Sequence, residues 1–190
     1  TLPVTWSTTH CVAERASLSG NRLIIVHAAA GGVGLKVIEY AQWLLAPCVG
    51  TAGRPHKHVS LRTTGVAKLC SSRHGVAFAT GLLRHSVGSR SHAVLNSLSL
   101  DFIAASFASL GESGAFQEIG KRGIWSPSRH VAATASTSYC AIALDADTEM
   151  EPDVMSRLLM LLAARVSAGW TSSLPLQSFN MALQYQLAFR

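Results

Sequence analysis

Apolar residues in this chain gather into short β-branched runs separated by stretches of helical spacing. Leu23-Ile24-Ile25-Val26-His27 is such a run, too short and too uniformly apolar for an amphipathic helix, and predicts a buried strand. It leads directly into Ala28-Ala29-Ala30-Gly31-Gly32-Val33-Gly34. Val37, Ile38, Ala41, Leu44 and Leu45 then recur at three- and four-residue spacing, which predicts a helix that Pro47 ends. Cys48 to Ala52 reads as a second strand, so strand, glycine turn, helix and strand form one βαβ unit. Val66 to Cys70 and Ala93 to Asn96 predict a third and a fourth strand. A helix over Leu98 to Leu110, carrying Phe102, Ile103 and Phe107 inward, should stop at the turn Gly111 to Gly114. Ala115 to Ile119 and Tyr139 to Leu144 complete six strands, and Pro152 opens a helix from Asp153 to Ser167. Strands alternating with helices predict an α/β chain with a Rossmann-type, doubly wound parallel sheet and helices on both faces.

The glycine turn carries candidate chemistry. A helix N-terminus offers free backbone N–H groups and partial positive charge to a pyrophosphate, and glycines let the backbone come close to it. Gly31, Gly32 and Gly34 hold key places, Ala30 and Val33 lie between and beside them, and Ala29 stands where GxGxxG has its first glycine. Beyond the second strand, Thr51-Ala52-Gly53-Arg54-Pro55-His56-Lys57 lacks the acid that would hold a ribose 2′-hydroxyl. Arg54 and Lys57, with Arg73 after the third strand, would instead pair with a 2′-phosphate, so NADPH is the expected dinucleotide.

Composition narrows the alternatives. The 190 residues suit one domain, or one and a fraction, and 48% apolar with 14% charged residues describes a globular chain. The net charge of +6 is scattered singly and not in runs, which argues against nucleic acid as a partner. The longest apolar run, Leu158 to Ala164, is far short of the roughly 20 residues of a membrane span. Cys11, Cys48, Cys70 and Cys140 form no CxxC pair, and His56 and His58 around Lys57 are too few for a metal site. The chain opens at Thr1 without methionine or signal peptide and ends after the apolar-periodic stretch Leu183 to Phe189, so both ends read as cuts in a longer, cytoplasmic polypeptide.

HAAAGGVG from His27 to Gly34 resembles the cofactor loop of zinc-independent, quinone-reductase-like members of the medium-chain dehydrogenase/reductase superfamily. With SSR (Ser71 to Arg73), VLNSL (Val94 to Leu98) and EIGK (Glu118 to Lys121), in this order, the chain resembles enoyl reductase domains of type I polyketide synthases and of animal fatty acid synthase. The resemblance runs from Pro3 to Arg190, with Leu174 to Arg190 looking like the start of a return to the substrate half. It implies NADPH-dependent reduction of an α,β-unsaturated thioester on an acyl carrier protein, with hydride delivered to the β-carbon and a proton to the α-carbon, among neighbouring domains of a synthase. Lys121 then matches the proton donor or enolate stabiliser, and Asp145 its acidic partner, with Asp147 the alternative. Asn96, Ser97 and Leu98 would lie by the nicotinamide ribose, and Gly120 is also expected to bind the cofactor. Residues 1–190 are thus expected to be one NADPH-binding domain without most of its catalytic half. The tyrosine tied to stereochemistry in that half has no counterpart among Tyr40, Tyr139 and Tyr185, and the piece should bind NADPH yet reduce enoyl thioesters poorly. Two rivals remain, a stand-alone quinone or alkenal reductase and a degenerate spacer domain. Acyl-pantetheine against quinone as substrate separates the first, and failure to bind either nicotinamide cofactor would favour the second.

Overall fold

A computed structural model describes residues 2–85, 90–99, 101–121, 123–134 and 136–175. The expected apolar stretch Leu183 to Phe189, and all but the first two residues of the expected return segment, lie outside them. The elements run α1 (Leu2–Arg15), β1 (Ile24–Val26), α2 (Gly32–Trp43), β2 (Cys48–Ala52), α3 (Pro55–Thr63), β3 (Lys68–Ser71), α4 (Gly75–His85), β4 (Ser91–Asn96), α5 (Asp101–Ala108), β5 (Leu110–Glu118), α6 (Pro127–Ala133), β6 (Ser138–Ala141), α7 (Leu144–Met150) and α8 (Asp153–Ser167).

Six parallel strands lie in the order β3-β2-β1-β4-β5-β6, the doubly wound arrangement expected. The chain reverses direction across the sheet between β1 and β4, so a crevice opens at the carboxyl ends of those two strands. Alternation along each strand divides the core. Ile24 and Val26 of β1 with Ala93 and Leu95 of β4 face α1, α2 and α8 through Val12, Val37, Ile38 and Leu158. Ile25 and Val94 face the opposite way, onto Phe78 and Leu82 of α4 and Ile103 and Phe107 of α5.

Several boundaries differ from the expectation. The helix expected over Leu98 to Leu110 is confined to α5, and β5 already begins at Leu110, where Ser91 pairs with it before a register shift brings Ala93 opposite Ala115. The expected turn Gly111 to Gly114 is therefore an irregular stretch inside β5, with Ser113 left-handed at φ 58°. The sixth strand stops at Ala141. Ile142 donates one more backbone bond to Glu118, and Leu144 already begins α7. A continuous apolar run carries no mark of where extended backbone gives way to helix. After α2, Leu45 sits left-handed at φ 58°, in the place glycine usually takes, and is exposed; Pro47 then leads cleanly into β2.

Helices α1, α2 and α8 pack around a guanidinium. Arg165 of α8 lies 4.2 Å from the ring centre of Trp43 and 4.9 Å from that of Tyr40, with Trp6 at 5.8 Å and Trp170 at 5.9 Å. Lys36, almost fully buried in α2, joins Glu39 at 2.8 Å and donates to the Ser172 carbonyl at 2.7 Å, while Glu39 accepts from Thr171 and Ser172. The chain leaving α8 is thereby fixed to the helix that follows the glycine turn. On the opposite side, Arg129 stacks at 4.3 Å on Trp125.

Candidate functional site

The glycine turn is built from the sheet outward. Ala28 is left-handed at φ 45°, and its N–H donates to the Thr51 hydroxyl, while the Ala29 N–H donates to the Thr51 carbonyl at 2.9 Å. Thr51, fully buried, thus serves the turn from the neighbouring strand. Gly31 caps α2 in extended conformation, and Gly34 in the first turn lies so close to the strand end that a Cβ would come 2.6 Å from Ala29 Cα and 2.7 Å from the Ala28 carbonyl. Backbone meets backbone here, which only glycine permits. Helix α2 has neither a side-chain cap bond nor an acid in its first turn, so its N–H groups and positive end are not countered there.

Beside this turn a cavity of about 270 Å³ is lined by Ala28, Ala30, Gly31, Thr51, Ala52, Gly53, Arg54, Lys57, Ser72 and Arg73. The structure brings together the glycine turn and all three expected cations, and among the described residues no acid lines the cavity. Arg73 reaches over from the loop after β3, its Nε donating to the Gly53 carbonyl at 3.1 Å. A Cβ at Gly53 would stand 2.7 Å from that Nε, so a side chain there would displace the guanidinium. Ala28, Ala52, Gly53 and Ser72 were not singled out by sequence, although Gly53 and Ser72 adjoin residues that were.

Further along the carboxyl edge a second, larger cleft of about 730 Å³ has mostly apolar walls, among them Val33, Ile119, Ile142, Leu144 and Met155. Lys121 and Asp145 stand on it, joined at 3.1 Å. Asp145 occupies the first turn of α7, and the Lys121 ammonium, with backbone N–H groups, holds its carboxyl below the ordinary value. Asp147, the alternative partner, pairs instead with Arg15 of α1 at 2.8 Å. Both members of the Lys121–Asp145 pair are largely exposed, so the contact orients the ammonium more than it stabilises the fold.

Between the two cavities, Asn96 is fully buried. Its Nδ2 donates to Glu118 Oε2 at 2.6 Å and to the Leu98 carbonyl at 2.9 Å, and its Oδ1 lies 2.7 Å from His27 Nδ1. The other His27 nitrogen is 2.9 Å from the Ser106 hydroxyl, and Glu118 Oε1 accepts from the Gly120 N–H at 2.7 Å. Burial pushes His27 down to about 4 and Glu118 upward. Ser97, next to Asn96, has a buried hydroxyl without a hydrogen-bond partner among the described residues. His27, Ser106 and Glu118, which complete this buried polar chain, were not singled out as site residues by sequence. The available signal was that the apolar runs Ile24 to Val26 and Ala93 to Leu95 give way to His27 and Asn96, and that Ala115-Phe116 is followed by Gln117 and Glu118, at the same edge of the sheet.

A dinucleotide phosphate fits these features: a close-approach glycine cradle, a cation-lined cavity without acid, and an unsatisfied Ser97 hydroxyl at the sheet edge. No protein-family model matches the chain. It is 31% identical over 174 residues to a phenolphthiocerol/phthiocerol polyketide synthase from Mycobacterium tuberculosis, covering 90% of this chain but 8% of that synthase. The CurK enoyl reductase superposes with a TM-score of 0.89 at 30% identity, over 99% of this chain and 56% of that one. A structure described as an enoyl reductase domain of a polyketide synthase matches with a TM-score of 0.82 at 30% identity, over 94% of this chain and 99% of that one. With sequence, sheet order and chain extent in agreement, this chain belongs to the enoyl reductase domains of polyketide synthases.

Proposed function

We propose that the chain is the NADPH-holding part of an enoyl reductase that saturates the α,β double bond of a thioester carried on an acyl carrier protein. The observation that carries this reading is the cavity joining Arg54, Lys57 and Arg73 to the glycine turn at Ala30 and Gly31. Three cations without an acid favour a 2′-phosphate over a 2′-hydroxyl. The turn and the first residues of α2, Gly31 to Gly34, would take the pyrophosphate, and Asn96, Ser97, Leu98 and Gly120 the nicotinamide ribose.

Bound there, NADPH supplies a hydride for the substrate β-carbon. Lys121 supports the enolate that then forms on the thioester and delivers a proton from Nζ to the α-carbon, with Asp145 keeping the ammonium turned toward the cleft. The apolar walls at Ile119, Ile142 and Met155 keep water from part of the reaction volume. Because the chain spans 56% of the CurK enoyl reductase, residues 1–190 act as one cofactor domain whose facing wall comes from another part of a cytoplasmic synthase, next to its neighbouring domains. Alone, the chain binds NADPH but turns over enoyl thioesters poorly.

Titration of the chain with NADPH and NADH, followed by nicotinamide fluorescence, tests the reading. Binding of NADPH tighter by at least roughly tenfold is expected from one or more charge-assisted contacts to the phosphate. Equal affinity, or no binding of either, overturns it.

A further inference from the structure

The buried carboxylate of Glu118 belongs to none of the roles assigned so far. It is 1% exposed at the end of β5 and takes two donors from different directions, Asn96 Nδ2 on Oε2 and the Gly120 N–H on Oε1. The second bond closes the turn Glu118-Ile119-Gly120, and the next residue is Lys121. The first runs inward: Asn96 gives its amide protons to Glu118 and Leu98, so its Oδ1 must accept from His27, which fixes the proton on Nδ1 and leaves Nε2 facing Ser106. One carboxylate therefore sets both the backbone that presents the lysine and the orientation of the polar groups under the β1–β4 crevice.

We propose that Glu118 is a positioning residue for the reduction: through Gly120 it aims Lys121, and through Asn96 and His27 it holds the crevice floor on which the nicotinamide end of the cofactor would rest. The inference builds on the role given to Lys121 above. Only a carboxylate accepts at both oxygens, so a glutamine must turn its NH₂ toward either Gly120 N–H or Asn96 Nδ2. Donor then faces donor, and either the turn opens or the Asn96 amide and the His27 tautomer reverse.

Glu118→Gln in the full synthase tests this. The KM for NADPH should stay within about threefold, while kcat falls at least roughly tenfold, the scale of a small misplacement of a catalytic group. Lys121→Met should cost several-fold less in the Glu118→Gln background than in the native protein, because the two act in series. A kcat within about twofold of native, or fully multiplying losses, overturns the proposal. Gly120→Ala breaks the same contact while keeping the carboxylate, since its Cβ would stand 2.7 Å from Glu118 Oε1, and should lower kcat likewise. A native protein without enoyl reduction would refute the enzyme reading and with it the role in reduction, but not the coupling of Gly120 and His27 through Glu118. Hydrogen exchange at the Gly120 amide and the ¹⁵N signals of His27 then decide: Glu118→Gln must alter at least one, and no change in either refutes the coupling.

Discussion

Replacing Gly34 by alanine isolates what the glycine cradle does. An alanine in a helical first turn ordinarily gains, by about 1 kcal/mol from helix propensity and reduced freedom of the unfolded chain. At Gly34 the added carbon would lie 2.6 Å from Ala29 Cα and 2.7 Å from both the Ala28 and the Ala29 carbonyl oxygens. Optimal carbon contacts are about 3.5–4.0 Å, so α2 must retreat by about 1 Å at its N-terminus. The obstructing atoms are backbone, held by Thr51, and no side chain can swing away. Val37, Ile38 and Ala41 would lose part of their packing on β1, and overpacking of this kind costs typically 1–3 kcal/mol. The clash offsets the gain and, over most of its range, exceeds it, so the net expectation is a loss of up to about 2 kcal/mol in urea unfolding. NADPH affinity should fall with it, since the N–H groups of α2 move with the helix. Gly32→Ala is the control: its Cβ meets only side-chain atoms, Thr5 Cγ2 at 3.2 Å and Leu174 Cδ1 at 3.4 Å, which can shift. It should cost under about 0.5 kcal/mol, within the range of tolerated substitutions. Equal stability of the Gly34→Ala and Gly32→Ala variants, with NADPH binding intact in both, would refute the reasoning.

Other perturbations follow from the same geometry. Removing Arg73, by Arg73→Ala, deletes a charge-assisted contact to a 2′-phosphate and should weaken NADPH by roughly 10- to 100-fold while leaving NADH within about twofold; parallel titrations at fixed salt check this. His27 is neutral in the fold down to about 4, whereas an unfolded histidine protonates near 6.5. Its contribution is complete above about 6.5 and is lost as pH falls through about 4, on the order of 3 kcal/mol in all. Glu118 has the opposite sign: its contribution is complete below the ordinary carboxylate value and diminishes as pH rises through its elevated folded value, softening the lower part of the decline. Urea unfolding across pH 4 to 7, with His27→Gln expected to flatten the upper part of the decline, is the measurement; identical pH profiles would contradict it. Burial pushes Cys48 up to about 12 and Cys70 up to about 11, so neither should react with iodoacetamide at about pH 8 until urea unfolds the chain, as mass spectrometry of the alkylated peptides can follow.

The centre of the sheet was legible because β1 and the inner part of β4 are buried on both faces and so read as unbroken apolar runs. Ile24 to Val26 and Ala93 to Leu95 could hardly be anything else. The cations were legible because strand ends are fixed by the runs before them, and Arg54, Lys57 and Arg73 follow two such ends directly. Much of the helical layer was not. Helix α1 turns Ser7, Thr8 and Thr9 inward beside Trp6 and Val12, a buried face whose polarity hides its period. Helix α3 buries Leu61 alone, and α7 buries nothing, so neither carries an apolar stripe. Helix α4 buries Phe78 and Leu82 at four-residue spacing, but a single such pair is too little to tell a helix from a loop by period. Pairing of Lys121 with Asp145 rested on resemblance, since twenty-odd intervening residues offer no spacing rule. The His27-Asn96-Glu118 chain depends on which strands lie side by side, a fact of topology that no local window holds.

The guanidinium-centred packing of α1, α2 and α8 also decides what the protein's own light emission can report. Trp6, Trp43 and Trp170 surround Arg165, and Trp125 lies under Arg129, so all four indoles sit against a positive charge and none lines the cofactor cavity. Changes in indole emission during denaturation will therefore track separation of the helices, and quenching by a reduced nicotinamide held in that cavity would have to travel through space to rings outside its lining.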